Sequence, residues 1–219
     1  MEPSPRALSL KISEIFLSLQ GESSRVGLPT VFVRLTGCPL RCVWCDTAYA
    51  FSGGQTMTLP QVLEQVAGHA VHHVCVTGGE PLAQAAGLPL LAALCDAGYS
   101  VSLETSGALD IGKVDARVQR VVDVKAPGSG ESDRNRWQNL ALLTPRDELK
   151  FVLKNRADYE WARQLIAERQ LAAICPLLFS PVEGELPATT LADWLLADHL
   201  PVRFQLQLHK VLWGKLRGR

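Results

Sequence analysis

Short apolar runs alternate along this chain with segments of helical period. Runs rich in β-branched residues predict strands at 10–19, 30–35, 73–76, 100–103, 120–124, 148–153, 173–179 and 202–208. Thr58-Leu59-Pro60-Gln61 forms a capping-box pattern with proline in the first turn, so a helix opens there and runs to about His69. Leu88 to Ala97 predicts a second helix, stopped by Gly98. Asp158 is the candidate cap of a third, running to about Gln170. Thr189 or Thr190 is the candidate cap of a fourth, with Leu191, Trp194, Leu195 and Ala197 near one face.

Strands alternating with helices, and strands nearly continuous in apolar residues, imply an α/β fold with a mainly parallel sheet under helices. A closed eight-fold α/β barrel takes about 250 residues. This chain has 219 and spends its first third on loops, so the expectation is an open, partial (β/α) barrel. Its ligands belong at the carboxyl ends of the strands. No repeat or linker divides the chain; residues 1–219 are expected to form one domain, with 1–8 a disordered start and 209–219 a C-terminal tail.

Hydrophobic residues make up 47% and charged residues 20%, which excludes a disordered chain. Lys plus Arg and Asp plus Glu both number 22, and that balance argues against nucleic-acid binding by bulk charge. No apolar run is long enough to span a bilayer, and the first residues lack the apolar core of a secretory signal. The expected location is the cytoplasm, where six cysteines read as reduced thiols or metal ligands.

Cys38, Cys42 and Cys45 follow the strand at 30–35 with C-x-x-x-C-x-x-C spacing. Three thiols within eight residues of a strand-end loop can converge on one centre, and soft thiolates select zinc, copper(I) or an iron–sulfur cluster. A structural zinc site wants a fourth ligand, and no second cysteine pair is present. A cubane cluster held by three thiolates leaves one iron open. Cys75, Cys95 and Cys175 lie in apolar runs and read as small buried hydrophobes.

The cysteine spacing, with Trp44 before the last thiol, resembles the radical S-adenosylmethionine (SAM) superfamily, and Thr77-Gly78-Gly79-Glu80-Pro81 matches its second signature. The resemblance implies a [4Fe–4S] cluster on Cys38, Cys42 and Cys45 with SAM on the fourth iron. Ser18-Leu19-Gln20-Gly21-Glu22, Phe32-Val33-Arg34-Leu35, Cys45-Asp46-Thr47, Glu104-Thr105-Ser106-Gly107 and Gln207-Leu208-His209-Lys210 together resemble the 7-carboxy-7-deazaguanine synthase family. That family converts 6-carboxy-5,6,7,8-tetrahydropterin to 7-carboxy-7-deazaguanine with loss of ammonia. The same resemblance implies substrate contacts from Leu19, Gln20, Gly21, Arg34, Thr77 and His209, and Mg²⁺ on Thr47. It implies SAM contacts from Trp44, Cys45, Asp46 and Gly79. Asp123-Val124-Lys125 and Ser180-Pro181-Val182-Glu183 stand where some members carry S-x-K and Q-P-x-D, so their SAM contacts transfer less directly. No protein nucleophile or base is implied. The partners implied are the pterin, an electron donor such as flavodoxin or ferredoxin, and a second copy of the chain.

Two other readings share some of these residues. A glycyl-radical-activating enzyme has the same cysteine spacing but needs a docking surface for a protein. A thiolate–metal interaction module explains the cysteines and leaves the G-G-E-P loop without a role. Its basic tail, 210–219, carries four cations and one tryptophan, and reads as a solvated terminus.

Overall fold

The computed structural model describes residues 8–219; apart from Leu8, the expected disordered start lies outside the described residues. The strands are β1 (Ser9–Leu19), β2 (Pro29–Leu35), β3 (Gln55–Thr58), β4 (His73–Gly78), β5 (Ser100–Thr105), β6 (Gln119–Asp123), β7 (Glu148–Leu153), β8 (Leu177–Pro181) and β9 (Arg203–Phe204). They form one sheet in the order β3-β1-β2-β4-β5-β6-β7-β8-β9. From β2 through β4 to β9 the neighbours run parallel, while β1 is antiparallel to both β2 and β3. β3 and β9 do not pair, so the sheet stays open, as expected of a partial (β/α) barrel.

The strands alternate more strictly than continuous apolar runs suggest. Val31, Val33, Val74, Val76, Val101, Leu103, Leu149, Phe151, Leu177 and Phe179 point to one face and belong to one hydrophobic cluster. Helices α1 (Leu59–Ala67), α2 (Gly87–Asp96), α3 (Arg156–Glu168) and α4 (Ala188–Asp198) supply the other side of it. Leu90, Leu91 and Leu94 of α2 are fully buried, and each such leucine contributes roughly 1.5–3 kcal/mol. Intervening residues such as Arg34, Thr77, Glu104, Asp123 and Lys150 face the barrel interior, which is therefore polar.

Several expected boundaries shift. The capping box of α1 forms as read, with the Thr58 and Gln61 side chains each reaching the other's backbone. In α3 the cap is Asn155, which accepts from the Asp158 N–H at 3.0 Å. Asp158 lies inside the first turn and instead accepts from Gly128 N–H at 2.8 Å. Pro187 precedes α4, so Thr189 and Thr190 fall within the helix; Leu191 and Leu195 are buried, but Ala197 is exposed. β8 starts only at Leu177, because Leu171–Ala173 forms a 3-10 turn ahead of Pro176. β9 keeps two residues, and Leu208 opens a further helix, α5 (Leu208–Trp213), instead of ending a strand. β3 escapes the apolar pattern because its residues are mostly polar.

Residues 20–28 fold beneath the barrel as a plug. Ser23 has φ +66°, an uncommon conformation for a non-glycine residue, and Gln205 holds it there. The Ser23 N–H donates to Gln205 Oε1 and Gln205 Nε2 donates to the Ser23 carbonyl, both at 2.9 Å and both buried. This pair ties the plug to the last strand. Gln205→Ala leaves the buried Ser23 N–H without a partner, while the Ser23 carbonyl keeps the Val26 N–H at 3.3 Å, and should lower stability by about 1–3 kcal/mol, read as a urea midpoint shift at constant slope.

Candidate active site

β2 ends at Leu35 and releases the cysteine loop over the carboxyl end of the barrel. Cys38, Cys42 and Cys45 are half-buried, free, and line one cavity of about 690 Å³. Cys45 N–H closes a turn onto the Cys42 carbonyl at 3.1 Å, and Val43 N–H bonds the Ser129 carbonyl at 3.0 Å. The glycine-rich stretch 126–130 is thus a brace for this loop, with Ser129 fully buried. Burial pushes all three thiols up from their ordinary value, and Lys125 pulls each back. Among the described residues no three His, Cys, Asp or Glu side chains converge on a single ion. A four-iron cluster does not ask for that, since each thiolate binds a different iron.

The two glycines after β4 have a structural cause. A Cβ on Gly78 would meet the Leu35 carbonyl oxygen at 2.2 Å, and one on Gly79 would meet that of Gly37 at 2.1 Å. The G-G-E-P segment therefore lies directly against the start of the cysteine loop, with Gly79 N–H on Leu35 O at 2.9 Å and Glu80 N–H on Gly37 O at 2.7 Å. Glu80 is fully buried. Its carboxylate accepts from Thr105 Oγ1 at 2.9 Å and from the Ser106 N–H at 2.7 Å. One side chain thus locks the ends of β4 and β5 together.

A chain of buried charges crosses the interior. Lys150 Nζ lies 2.6 Å from Glu22 and 3.5 Å from Asp123, and Lys125 Nζ lies 2.7 Å from Asp123. Burial penalises each charge. The neighbouring opposite charges outweigh it, holding Glu22 and Asp123 below their usual values and Lys125 and Lys150 above theirs. Glu104 goes the other way: burial raises it above the carboxylate norm despite Lys150, with Glu22 and Asp123 adding repulsion. It accepts a 3.4 Å hydrogen bond from Thr77 Oγ1.

Arg34 Nε donates to Glu14 at 2.7 Å, and its guanidinium lies 5.8 and 5.9 Å from the Phe16 and Tyr49 ring centroids. Tyr49 donates to the same Glu14 oxygen at 2.7 Å; burial and that bond push the phenol up to about 12. Thr47 Oγ1 donates to Asp46 Oδ1 at 2.9 Å. Asp46 also takes Lys210 at 2.7 Å, and this partner overrides burial and holds the acid well below its usual range. Residues 214–219 line the cavity as well, and Arg217 rests 4.0 Å from the Tyr49 ring centroid. The tail expected to be solvated is folded over the site.

Of the residues singled out in the sequence, Leu19, Gln20, Arg34, Thr77 and His209 line this cavity, as do Trp44, Asp46, Thr47 and Gly79. Asp123, Lys125, Pro181, Val182 and Glu183 line it too. Three do not. Val124 is buried in the outward-facing core, because strand alternation turns it away from its two neighbours. Gly21 lies behind His209, whose Nδ1 would be 2.1 Å from a Cβ there. Ser180 is buried without lining the cavity, and its Oγ has no hydrogen-bond partner among the described residues. Lys150, Glu14, Tyr49 and Glu104 received no role from the sequence. The inward position of Lys150, Glu14 and Glu104 follows only from strand register, and register needs the sheet, while the 3-10 turn Ala48–Phe51 after the cysteine loop brings in Tyr49.

A family model described as Radical SAM superfamily matches residues 32–168. A 7-carboxy-7-deazaguanine synthase of Chlorobaculum tepidum is 48% identical over 208 residues, covering 94% of each chain. One from Koribacter versatilis is 43% identical over 93% of this chain and 97% of its own. The crystal structure of QueE from Escherichia coli matches with a TM-score of 0.73 and 25% identity, over 90% of this chain and 94% of that one.

Because Glu104 is raised above 4.5 in the folded protein, its contribution to stability is complete below that pH and is lost as pH rises through the raised value. Glu104→Gln mimics the neutral form at every pH. The stability of this variant relative to the parent should therefore increase between about pH 4 and about pH 8 in urea unfolding; a flat difference would mean the native carboxylate is ionised at no cost.

Proposed function

The chain belongs to the radical SAM superfamily and, within it, to the 7-carboxy-7-deazaguanine synthases, and we propose that its cavity converts 6-carboxy-5,6,7,8-tetrahydropterin to 7-carboxy-7-deazaguanine with release of ammonia. The observation that carries this reading is three cysteine thiols on the wall of one cavity that also holds Arg34, Lys125 and Lys150. Soft thiolates suit an iron–sulfur cluster, and buried cations suit an anionic substrate.

Cys38, Cys42 and Cys45 would hold the [4Fe–4S] cluster. Asp123 Oδ1 is buried without a hydrogen-bond partner among the described residues and lines the cavity, which fits a polar ligand supplying one, and SAM offers ribose hydroxyls for it. Trp44, Cys45, Asp46 and Gly79 would border SAM, with Lys125, Pro181, Val182 and Glu183 completing its side of the cavity. When bound, the cluster and SAM supply one-electron chemistry that removes a hydrogen atom from the substrate. The residues of the chain position the pterin and exclude water.

Arg34 is oriented by Glu14 through Nε alone, which leaves the terminal guanidinium nitrogens for the pterin. Gln20, Leu19 and Thr77 would border the ring, and His209 is held neutral by burial and can hydrogen-bond without adding charge. A protonated Glu104 would donate to a ring nitrogen or carbonyl. Thr47 gives its proton to Asp46, so its oxygen lone pairs are free for Mg²⁺, which binds through few protein ligands and keeps other positions for water and substrate oxygen.

Among the described residues no helix is long and apolar enough to cross a membrane. A cytoplasmic location, a one-electron donor of the flavodoxin or ferredoxin type and a homodimer belong to the same reading. The folded tail favours a small substrate over a protein loop, and so disfavours a glycyl-radical activase.

Cys38→Ala, Cys42→Ala or Cys45→Ala should abolish both the iron–sulfur absorbance of the reconstituted protein and SAM cleavage. Cys75→Ala, Cys95→Ala and Cys175→Ala should preserve both, and loss of the absorbance in Cys75→Ala would replace the three-thiolate site by a four-thiolate one.

Thr47→Ala should lower turnover and flatten its response to magnesium, with cluster content unchanged, whereas Thr47→Ser should retain most of both. Full turnover after chelator treatment would remove the metal from the reading.

A further inference from the structure

A second cavity, of about 450 Å³, opens at the opposite end of the barrel, among the amino-terminal ends of β5 to β9. It shares no lining residue with the first. Four arginines reach it from four separate segments: Arg25 from the plug, Arg117 ahead of β6, Arg146 ahead of β7, and Arg203 from β9. Arg117 is neutralised by Asp96 at 2.8 Å and Asp115 at 2.7 Å. Among the described residues Arg25, Arg146 and Arg203 have no carboxylate within 4.0 Å. Arg25 is half-buried and aimed by neutral partners, Gln119 Oε1 at 2.7 Å and the Ser100 carbonyl at 3.0 Å. Arg146 is likewise fixed by a carbonyl, that of Ala116. The carboxylate in the lining, Glu148, is occupied by the Ser24 N–H at 2.9 Å and Gln119 Nε2 at 3.3 Å.

Arg25, Arg146 and Arg203, which share this lining with one carboxylate that already accepts two other hydrogen bonds, form a set of donors lacking their usual ion-pair acceptor. Burial of Arg25 without a counter-ion costs free energy that a bound anion would return. The lining holds Pro145, Pro176 and Leu178 but no aromatic ring on which a nucleobase could stack. We propose that this cavity is a phosphate-binding site, filled either by inorganic phosphate or by a small phosphate monoester whose body rests on Pro145, Pro176 and Leu178. The site is independent of the pterin chemistry and lies on the far side of the buried charge network.

The test is calorimetric titration of the anaerobically reconstituted full chain with inorganic phosphate and with glycerol phosphate, each against chloride at equal ionic strength. Saturable binding is expected. Arg203→Gln and Arg146→Gln, both at accessible positions, should each weaken it about tenfold while SAM binding at the other end is unchanged. Tighter binding of glycerol phosphate than of phosphate, lost in Leu178→Ala, assigns the monoester; the reverse order assigns the free ion. Unaltered phosphate affinity in the Arg146→Gln, Arg203→Gln double variant, or heats no larger than those with chloride, would overturn the proposal.

Discussion

The buried run Glu22–Lys150–Asp123–Lys125 is the constraint on which the rest of the interior depends. An open barrel of this size cannot fill its centre with apolar side chains and still leave room for a ligand, so alternate strand positions carry polar groups instead. Charges placed there are tolerable only when each is matched, because a buried ion left alone costs several kcal/mol. Lys150 meets Glu22 of the plug and Asp123 of β6, and Asp123 meets Lys125 beside the cysteine loop. Gln207 then bonds Glu22 at 2.6 Å, which brings α5 into the same network. The charges thereby fix the floor, one wall and the start of the folded tail relative to each other.

A second linkage operates without charge pairing. Gly78 and Gly79 let two backbone segments approach so closely that no side chain fits between them, and Glu80 beyond them gathers donors from Thr105 and Ser106. A glycine doublet of this kind invites a ligand-centred explanation. The contacts show that it also registers the cysteine loop against β4. A larger residue at Gly79 would move the loop that carries Cys38, so the positioning of the three thiols and the shape of the cavity beside them share one cause.

Much of this was legible in the sequence. The α1 capping box, β7 and the order of strand and helix follow from local chemistry, and the count and spacing of the cysteine triad point to an open site for a soft metal. Legibility failed where tertiary contacts decide. Val124 was grouped with Asp123 and Lys125 by adjacency, yet strand alternation sends it to the opposite face. The polar β3 lacks an apolar signature and pairs only because β1 offers it an edge. The tail from Lys210 onward looks like a solvated basic terminus until Asp46 and Tyr49 supply partners distant in sequence. Lys150 carried no motif at all; its meaning comes from register.

Charge counting across the cavity links these elements to the chemistry. Arg34, Lys125, Lys150 and Lys210 are each matched by a carboxylate, from Glu14, Asp123, Glu22 and Asp46 respectively. That matching is complete only while Glu104 and His209 are neutral, and burial favours the neutral form of both. Three thiolates beside Lys125 would add negative charge to a cavity that the tail's Lys215, Arg217 and Arg219 also line, and a substrate carboxylate entering beside them would add more. Low local dielectric magnifies the repulsion. Arg34 can offset part of it, because Glu14 engages only one edge of its fork. A divalent cation at Thr47 would offset the remainder at the point where substrate and cluster loop meet, and a neutral hydroxyl ligand leaves that cation its full charge for the purpose.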